Sequence, residues 1–333
     1  MRSILGTLLV ATAITGGVVP AQRAVDEDTA SSAAFRAFPE ADSCKRIRRD
    51  VDRDTRAAIE RSLPFRLHFD ELGTHTLLVA FRGRRPVGLV YLRSEESEYG
   101  LTEVQWALSL DLRVLGFELP RCRNQNRHAL ETSPFAKELA GCDSQQLVAL
   151  FQRDPPVTRD PAHVPPGAEQ LADVVLRSAL KSLRVAELVW HEDIAKLQDQ
   201  AMGFDAFPAA ERFRRQVLQF AGEEGDPAHL RSVTVVLAIG RNGSSFGTVV
   251  RTAAVRPGSD GDRATLRWVL DEEQRVLSVS PLQSWSETPL RVACRELSGR
   301  RLTDPDLPPN DLLPVARELA VVLQRLAERS AQR

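Results

Sequence analysis

Two stretches of this chain repeat one another. Residues 104–115 read VQWALSLDLRVL and residues 266–277 read LRWVLDEEQRVL. They align without a gap and share Trp106/Trp268, Leu108/Leu270, Arg113/Arg275, Val114/Val276 and Leu115/Leu277. Further pairs follow in the same order along both halves. VGLVYL (87–92) matches FGTVVR (246–251), and ETSPFAKELAG (131–141) matches ETPLRVACRELSG (287–299). VPPGAEQLADVVLRSAL (164–180) matches LPPNDLLPVARELAVVL (307–323). One match is within the reach of chance; an ordered series points to two tandem copies of one domain. The length of 333 residues suits two domains of ordinary size.

Each copy has the same coarse plan. An apolar spacing of three and four predicts an opening amphipathic helix over 43–62, and its counterpart over 208–221. Strands are predicted at 74–81 and 87–93 around the turn GRRP, and at 232–239 and 246–252 around GRNG. A second strand pair follows in each copy, around Asp111 and around Asp271–Glu273. Copy one continues through a loop or helix over 134–151. Long helices then close the copies over 168–190 and 311–329. Helix, antiparallel meander, helix is an α+β architecture. The expected boundaries are copy one at 43–190, a linker at 191–207 and copy two at 208–330.

The N-terminal residues 1–21, MRSILGTLLVATAITGGVVPA, place Arg2 before an apolar run and end on small residues. This is the layout of an export signal, short for a membrane span. It predicts an exported protein, periplasmic or at the cell surface, with the segment either cleaved or retained as an anchor. Residues 22–42 read as a flexible tether. The four cysteines, Cys44, Cys122, Cys142 and Cys294, allow three pairings in an oxidising compartment. Cys122–Cys142 is the first expectation, since both fall in one loop region.

A net charge of -1 offers no surplus of basic residues for general nucleic-acid binding. None of the histidines His68, His75, His128, His163, His191 and His229 stands at metal-ligand spacing, so no metal is expected. No GxSxG elbow marks a hydrolase. GRNGSSFG (240–247) joins two strands and reads as a hairpin turn, not a phosphate loop. Trp106 and Trp268 read as core. Lys45–Arg49 reads as the solvated face of a helix, and His191-Glu192-Asp193 as a cluster at a helix end.

The order strand, Gly, strand pair, Glu-Thr-Pro, then a helix entered through small residues is similar to the FMN-binding domain. That domain occurs in exported flavin-carrying subunits of Rnf-type complexes and sodium-pumping quinone reductases. The best matches are Glu131-Thr132 (then Ser133-Pro134) and Glu287-Thr288-Pro289. The resemblance implies a flavin site near Glu131, Thr132, Gly167 and Ala168, one-electron transfer, and a membrane electron-transfer complex as partner. Where the family has Ser-Gly-Ala-Thr-x-Thr, this chain has Pro166-Gly167-Ala168-Glu169-Gln170-Leu171. Leu171 has no hydroxyl to esterify, so covalent FMN is not expected. Glu169 and Asp173 oppose a phosphate at a helix N-terminus, leaving non-covalent FMN in copy one as the form the resemblance allows. The alternative is a cofactor-less binding or scaffolding protein that keeps the domain shape. A hydrolase of unrecognised geometry is a weaker third reading.

Overall fold

The structure is a computed structural model and describes residues 27–67, 72–219, 230–255, 263–281, 295–307, 309 and 312–331. It is α+β, with two five-stranded antiparallel sheets and several helices. The chain divides into two compact units: Met1–Ala80 with Gly88–Trp190, and Phe81–Val87 with His191–Arg333.

In the first unit, helix α1 (Glu27–Ala37) leads into strand β1 (Ser43–Val51) and helix α2 (Arg53–Arg61). Strands β2 (Gly73–Arg82), β3 (Arg85–Ser97), β4 (Gly100–Leu108) and β5 (Val114–Arg121) complete a meander in chain order. Helices α3 (Arg127–Glu131), α4 (Pro134–Leu139) and α5 (Ser144–Gln152) follow, then a 3-10 turn at Val157–Arg159 and the long helix α6 (Glu169–Val189). Side chains alternate across a strand, so neighbours on β4 serve opposite faces. Trp106 points to α6, where its Nε1 donates to Ser178 Oγ at 3.0 Å. Gln105 points the other way, and its Nε2 donates to the Ala33 carbonyl of α1. Leu171, Val175, Ala179 and Leu183 form the buried stripe of α6. Phe38, just past α1, lies on Gly88, where a Cβ would come within 2.0 Å of the ring.

The second unit runs α7 (His191–Ala206), β6 (Arg212–Gln219), β7 (Leu230–Ile239), β8 (Ser245–Val255), β9 (Arg263–Leu270), β10 (Val276–Pro281) and α8 (Leu313–Ala331). Its sheet is again a meander in chain order. Val233, Val250, Leu266 and Trp268 pack with Val315, Leu319 and Leu323 of α8. On the other face, Val236, Val249 and Val269 pack with Met202 and Phe207. Phe207 lies on Gly247 as Phe38 lies on Gly88.

Fine details recur at the matched positions. Leu112 and Gln274 both have positive φ, 55° and 60°, in the turns before β5 and β10. Gly141 N–H donates to the Val114 carbonyl at 2.7 Å and Val114 N–H to the Cys142 carbonyl. Gly299 and Arg300 make the same pair of bonds with Val276, the first also at 2.7 Å. Gly141 and Gly299 have φ of +83° and +80°, a conformation that favours glycine. Burial sets Ala172, Val175, Leu176 and Ala179 against Ala316, Leu319, Ala320 and Leu323. This slides the helix alignment by one residue from the ungapped sequence match.

Several expectations are corrected. The opening elements predicted as helices at 43–62 and 208–221 are strands β1 and β6. An edge strand buries so little that its apolar spacing does not separate helix from strand. Only 53–61 is helical, started by Asp52, whose carboxylate accepts from Thr55 N–H at 2.8 Å. The Lys45–Arg49 run therefore lies on a sheet edge. The linker 191–207 is mostly helix α7, with Ile194, Leu197 and Met202 buried. Part of the expected tether is α1, anchored by buried Ala33, Ala34 and Phe38. His191, Glu192 and Asp193 open α7, where the acids suit the dipole. Cys44, Cys122 and Cys142 are free thiols. Cys142 Sγ donates to the Glu138 carbonyl, and Cys122 Sγ accepts from Thr102 Oγ1. Residues 1–21, Glu287-Thr288-Pro289 and Cys294 lie outside the described residues. Among those described, no helix is long and apolar enough to cross a membrane.

The outermost strands β1 and β6 each have a single neighbour in their sheet. β1 carries exposed Lys45, Arg48 and Arg49; β6 carries exposed Arg212 and Arg214.

Candidate functional site

Of the residues marked by the sequence, Glu131 and Thr132 sit at the end of α3, and Gly167 and Ala168 at the approach to α6. Glu131 ends α3 and turns its carboxylate inward. Oε1 accepts the Leu119 backbone N–H at 2.6 Å, and Oε2 lies 3.0 Å from His128 Nδ1. This fixes α3 against β5. Thr132 caps α3, its hydroxyl donating to the His128 carbonyl at 3.0 Å. Gly167 has φ +80° and donates its N–H to Glu169 Oε1 at 3.1 Å. Asn126 Nδ2 donates to the Pro166 carbonyl, tying the α3 approach to the α6 approach. Ala168 is fully buried, and no side chain caps α6 from that position. Leu171 is buried in the core stripe.

These residues do not fit a flavin phosphate. A phosphate binds a helix N-terminus through free N–H groups and the positive end of the dipole. Here the Glu169 carboxylate already holds the Gly167 N–H and supplies the negative charge. The hydroxyls of Thr132 and Ser133 are both committed to carbonyls of α3.

A cleft of about 430 Å³ opens beside the first turns of α6. Glu169, Asp173 and Arg177 line it from the helix, Glu96 and Glu98 from the end of β3, and Arg159 from the 3-10 turn. Acidic residues outnumber arginines in this lining. Arg177 is engaged already: its Nε donates to Asp173 Oδ2 at 2.7 Å, and its guanidinium covers Phe65 and Phe151.

Inward from this cleft, the same strand and helix carry a buried polar chain. Tyr91, Arg93 and Glu95 alternate along β3 and face the core. Tyr91 Oη lies 2.5 Å from His75 Nδ1 on β2. Arg93 donates through Nη1 to Tyr91 Oη and through Nε to Glu95 Oε1, the latter at 2.9 Å. Lys181 of α6 donates to Glu95 Oε2. Trp190 closes the inner end, edge-on to Tyr91 at 5.4 Å. The matched positions in the second unit are Val233, Val250, Thr252 and Ala254. Strand pairing fixes this register, because Tyr91 stands opposite Trp106 and Val250 opposite Trp268. Sequence reasoning missed this chain. Setting VGLVYLRSEE against FGTVVRTAAV would have found it, since ionisable residues in one unit stand against small or apolar residues in the other.

A second charged cluster joins α4, α5 and the loop before α6. Arg153 and His163 each bridge Glu138 and Asp160, at 2.6–3.0 Å. The Asp160 carboxyl is held below its ordinary value, first by the Ala162 backbone N–H and then by His163. Trp106 and Trp268 are core residues, each donating Nε1 to a buried hydroxyl, Ser178 or Thr252. GRNGSSFG forms the β7–β8 turn, with Gly243 at φ +84°. Among the described residues, no group of three or more His, Cys, Asp or Glu side chains could hold a metal ion.

No family model, curated protein or solved structure matches this chain.

Proposed function

We propose that the protein is a tandem duplication of one α+β domain that works as a cofactor-less binding protein, with the binding site in the first copy. The duplication is supported by the identical order of strands, the paired turns at Leu112 and Gln274, and the twin phenylalanine–glycine contacts. The observation that carries the cofactor-less reading is the Glu169 carboxylate bonded to the Gly167 N–H. It puts a negative charge where a flavin phosphate would sit. Electron transfer through FMN, and a membrane electron-transfer complex as partner, are therefore the less favoured reading. The buried chain supports assigning binding to the first copy, because the second copy has Val233, Val250, Thr252 and Ala254 at the matched strand positions instead. An exported location rests on the signal-like residues 1–21.

Titrating purified full-length protein with FMN tests this reading. The expected result is colourless protein that leaves FMN fluorescence unquenched. Yellow protein, or saturable quenching abolished by Gly167→Asp, overturns it. Fractionating cells that express the full chain checks export, with recovery confined to the cytoplasm as the refuting result.

A further inference from the structure

A row of four polar side chains crosses the second sheet on the face that meets α7. Strand pairing sets Thr234 of β7 against Arg251 of β8, Arg251 against Arg267 of β9, and Arg267 against Ser280 of β10. Residues directly opposite one another share a face, so the row is one surface. Asp199 of α7 identifies that face, because its Oδ1 lies 3.3 Å from Arg251 Nη2. The row passes from buried Thr234 to partly exposed Arg251, Arg267 and Ser280. Its charges do not balance. Asp199 is buried, and its Oδ2 accepts from Nε of Arg215 on β6 at 2.5 Å. Arg251 reaches the same carboxylate only at 3.3–3.5 Å. Arg267 has no acidic partner among the described residues; its Nε donates to Ser280 Oγ at 3.2 Å. Three guanidiniums against one carboxylate leave two positive charges on this face, in a chain of net charge -1. Like charges directly opposite one another destabilise a sheet. The fold does not call for them: the matched cross-strand pair in the first unit is Leu92 and Gln105, in the same register and uncharged.

We propose that Arg251 and Arg267 hold the phosphate group of a small solute. The site lies wholly in the second unit and does not rest on the reading of the first. Each guanidinium is a planar fork of paired N–H donors. The two oxygens of a carboxylate are used up by one fork, whereas a phosphate has oxygens enough for two. A phosphate monoester also carries about −1.5 to −2 of charge, which offsets the surplus on this face. Ser280 accepts from Arg267 and so keeps its own hydroxyl hydrogen to donate. Asp199 works from behind: it fixes Arg215 and steadies Arg251 without cancelling both.

The test is isothermal titration calorimetry of the full-length protein at low salt, with inorganic phosphate, glycerol phosphate and, as comparison, acetate. Both phosphates are expected to bind saturably and at least about tenfold tighter than acetate. Arg251→Leu with Arg267→Gln installs the first unit's uncharged pair and is expected to abolish binding. Arg267→Lys keeps the charge but loses the fork, and is expected to weaken binding about tenfold. Lys45→Gln with Arg48→Gln, on β1, removes two positive charges elsewhere and should bind as the parent does. Phosphate should raise the melting temperature of the parent and leave that of the double variant at the second sheet unchanged. Circular dichroism verifies the fold of each variant, and Arg267→Lys decides the matter if the double variant unfolds. No saturable binding, acetate binding as tightly as phosphate, or parental affinity in Arg267→Lys or in the double variant overturns the proposal. Binding to phosphatidic acid vesicles, with none to inorganic phosphate or glycerol phosphate, also overturns it and marks the face as a lipid-headgroup contact.

Discussion

Removing the Glu95 carboxylate by Glu95→Ala tests whether the buried chain is a true charge cluster. Glu95 is 8% exposed and accepts from Arg93 Nε at 2.9 Å and from Lys181. Arg93 is itself only 7% exposed, so it cannot turn to water when its acceptor goes. Lys181, with 14% of its side chain exposed, has a flexible stem and can partly escape. Breaking a buried pair typically costs about 3–5 kcal/mol, and one escaping partner puts Glu95→Ala near the lower end, about 3 kcal/mol. Arg93→Met leaves Glu95 on Lys181 and should cost less, about 1.5–3 kcal/mol. Replacing Arg93, Glu95 and Lys181 together by Met removes every charge while keeping most of the volume. This triple variant should return to within about 1 kcal/mol of the parent. The assay is urea unfolding with hydrogen exchange read on peptides from β3 and β4, which isolates the first unit from the second. A Glu95→Ala cost below about 0.5 kcal/mol, typical of an exposed pair, would refute the reasoning. So would a triple variant less stable than the single one.

Gly88→Ala must push the Phe38 ring aside and should cost about 1–3 kcal/mol by thermal unfolding, with Phe38→Leu in the same chain recovering part of it. Gly247→Ala should cost more, because its Cβ would meet the Leu270 carbonyl at 2.4 Å and its φ is +141°; a smaller loss than at Gly88 would contradict this. The depressed Asp160 carboxyl stabilises the native state fully above its ordinary value of 3.8, and that contribution is lost as pH falls below it toward the native value. Asp160→Asn should therefore flatten the acid limb of the stability–pH curve, and an unchanged limb would count against the role of this carboxyl. Burial raises the Cys142 thiol, with Asp143 and Glu138 adding to it, and burial raises Cys44. Both should resist iodoacetamide at neutral pH and react as pH climbs past 9.0; rapid labelling at pH 7 would be the contrary result.

The meanders were legible because Trp106, Leu108 and Val114 recur as Trp268, Leu270 and Val276 with period-two burial. Helix α6 was legible from its apolar stripe. The first strand of each unit was not. Ile47 and Val51, like Phe213 and Val217, fall at helical spacing by accident, and only pairing with β2 or β7 makes them extended. Glu131, Thr132, Gly167 and Ala168 stand out in the sequence through the resemblance alone, and the partners they take are not visible there. Nothing in Glu131 or Glu169 as letters says that one is spent on Leu119 N–H and the other on Gly167 N–H. The polar chain inward from the cleft was hidden because Arg93 and Glu95 read as surface residues until β3 is known to face α6.

The cationic outer strands also have a bearing on how this protein behaves when concentrated. Two open sheets in one chain bring more than one edge strand each, and a molecule with several such edges can polymerise rather than merely dimerise. Lys45, Arg48 and Arg49 on β1, and Arg212 and Arg214 on β6, make an encounter between these two rims of different molecules a meeting of like charges. That protection weakens when salt screens the rims, so fibre formation should be a high-salt hazard for this chain.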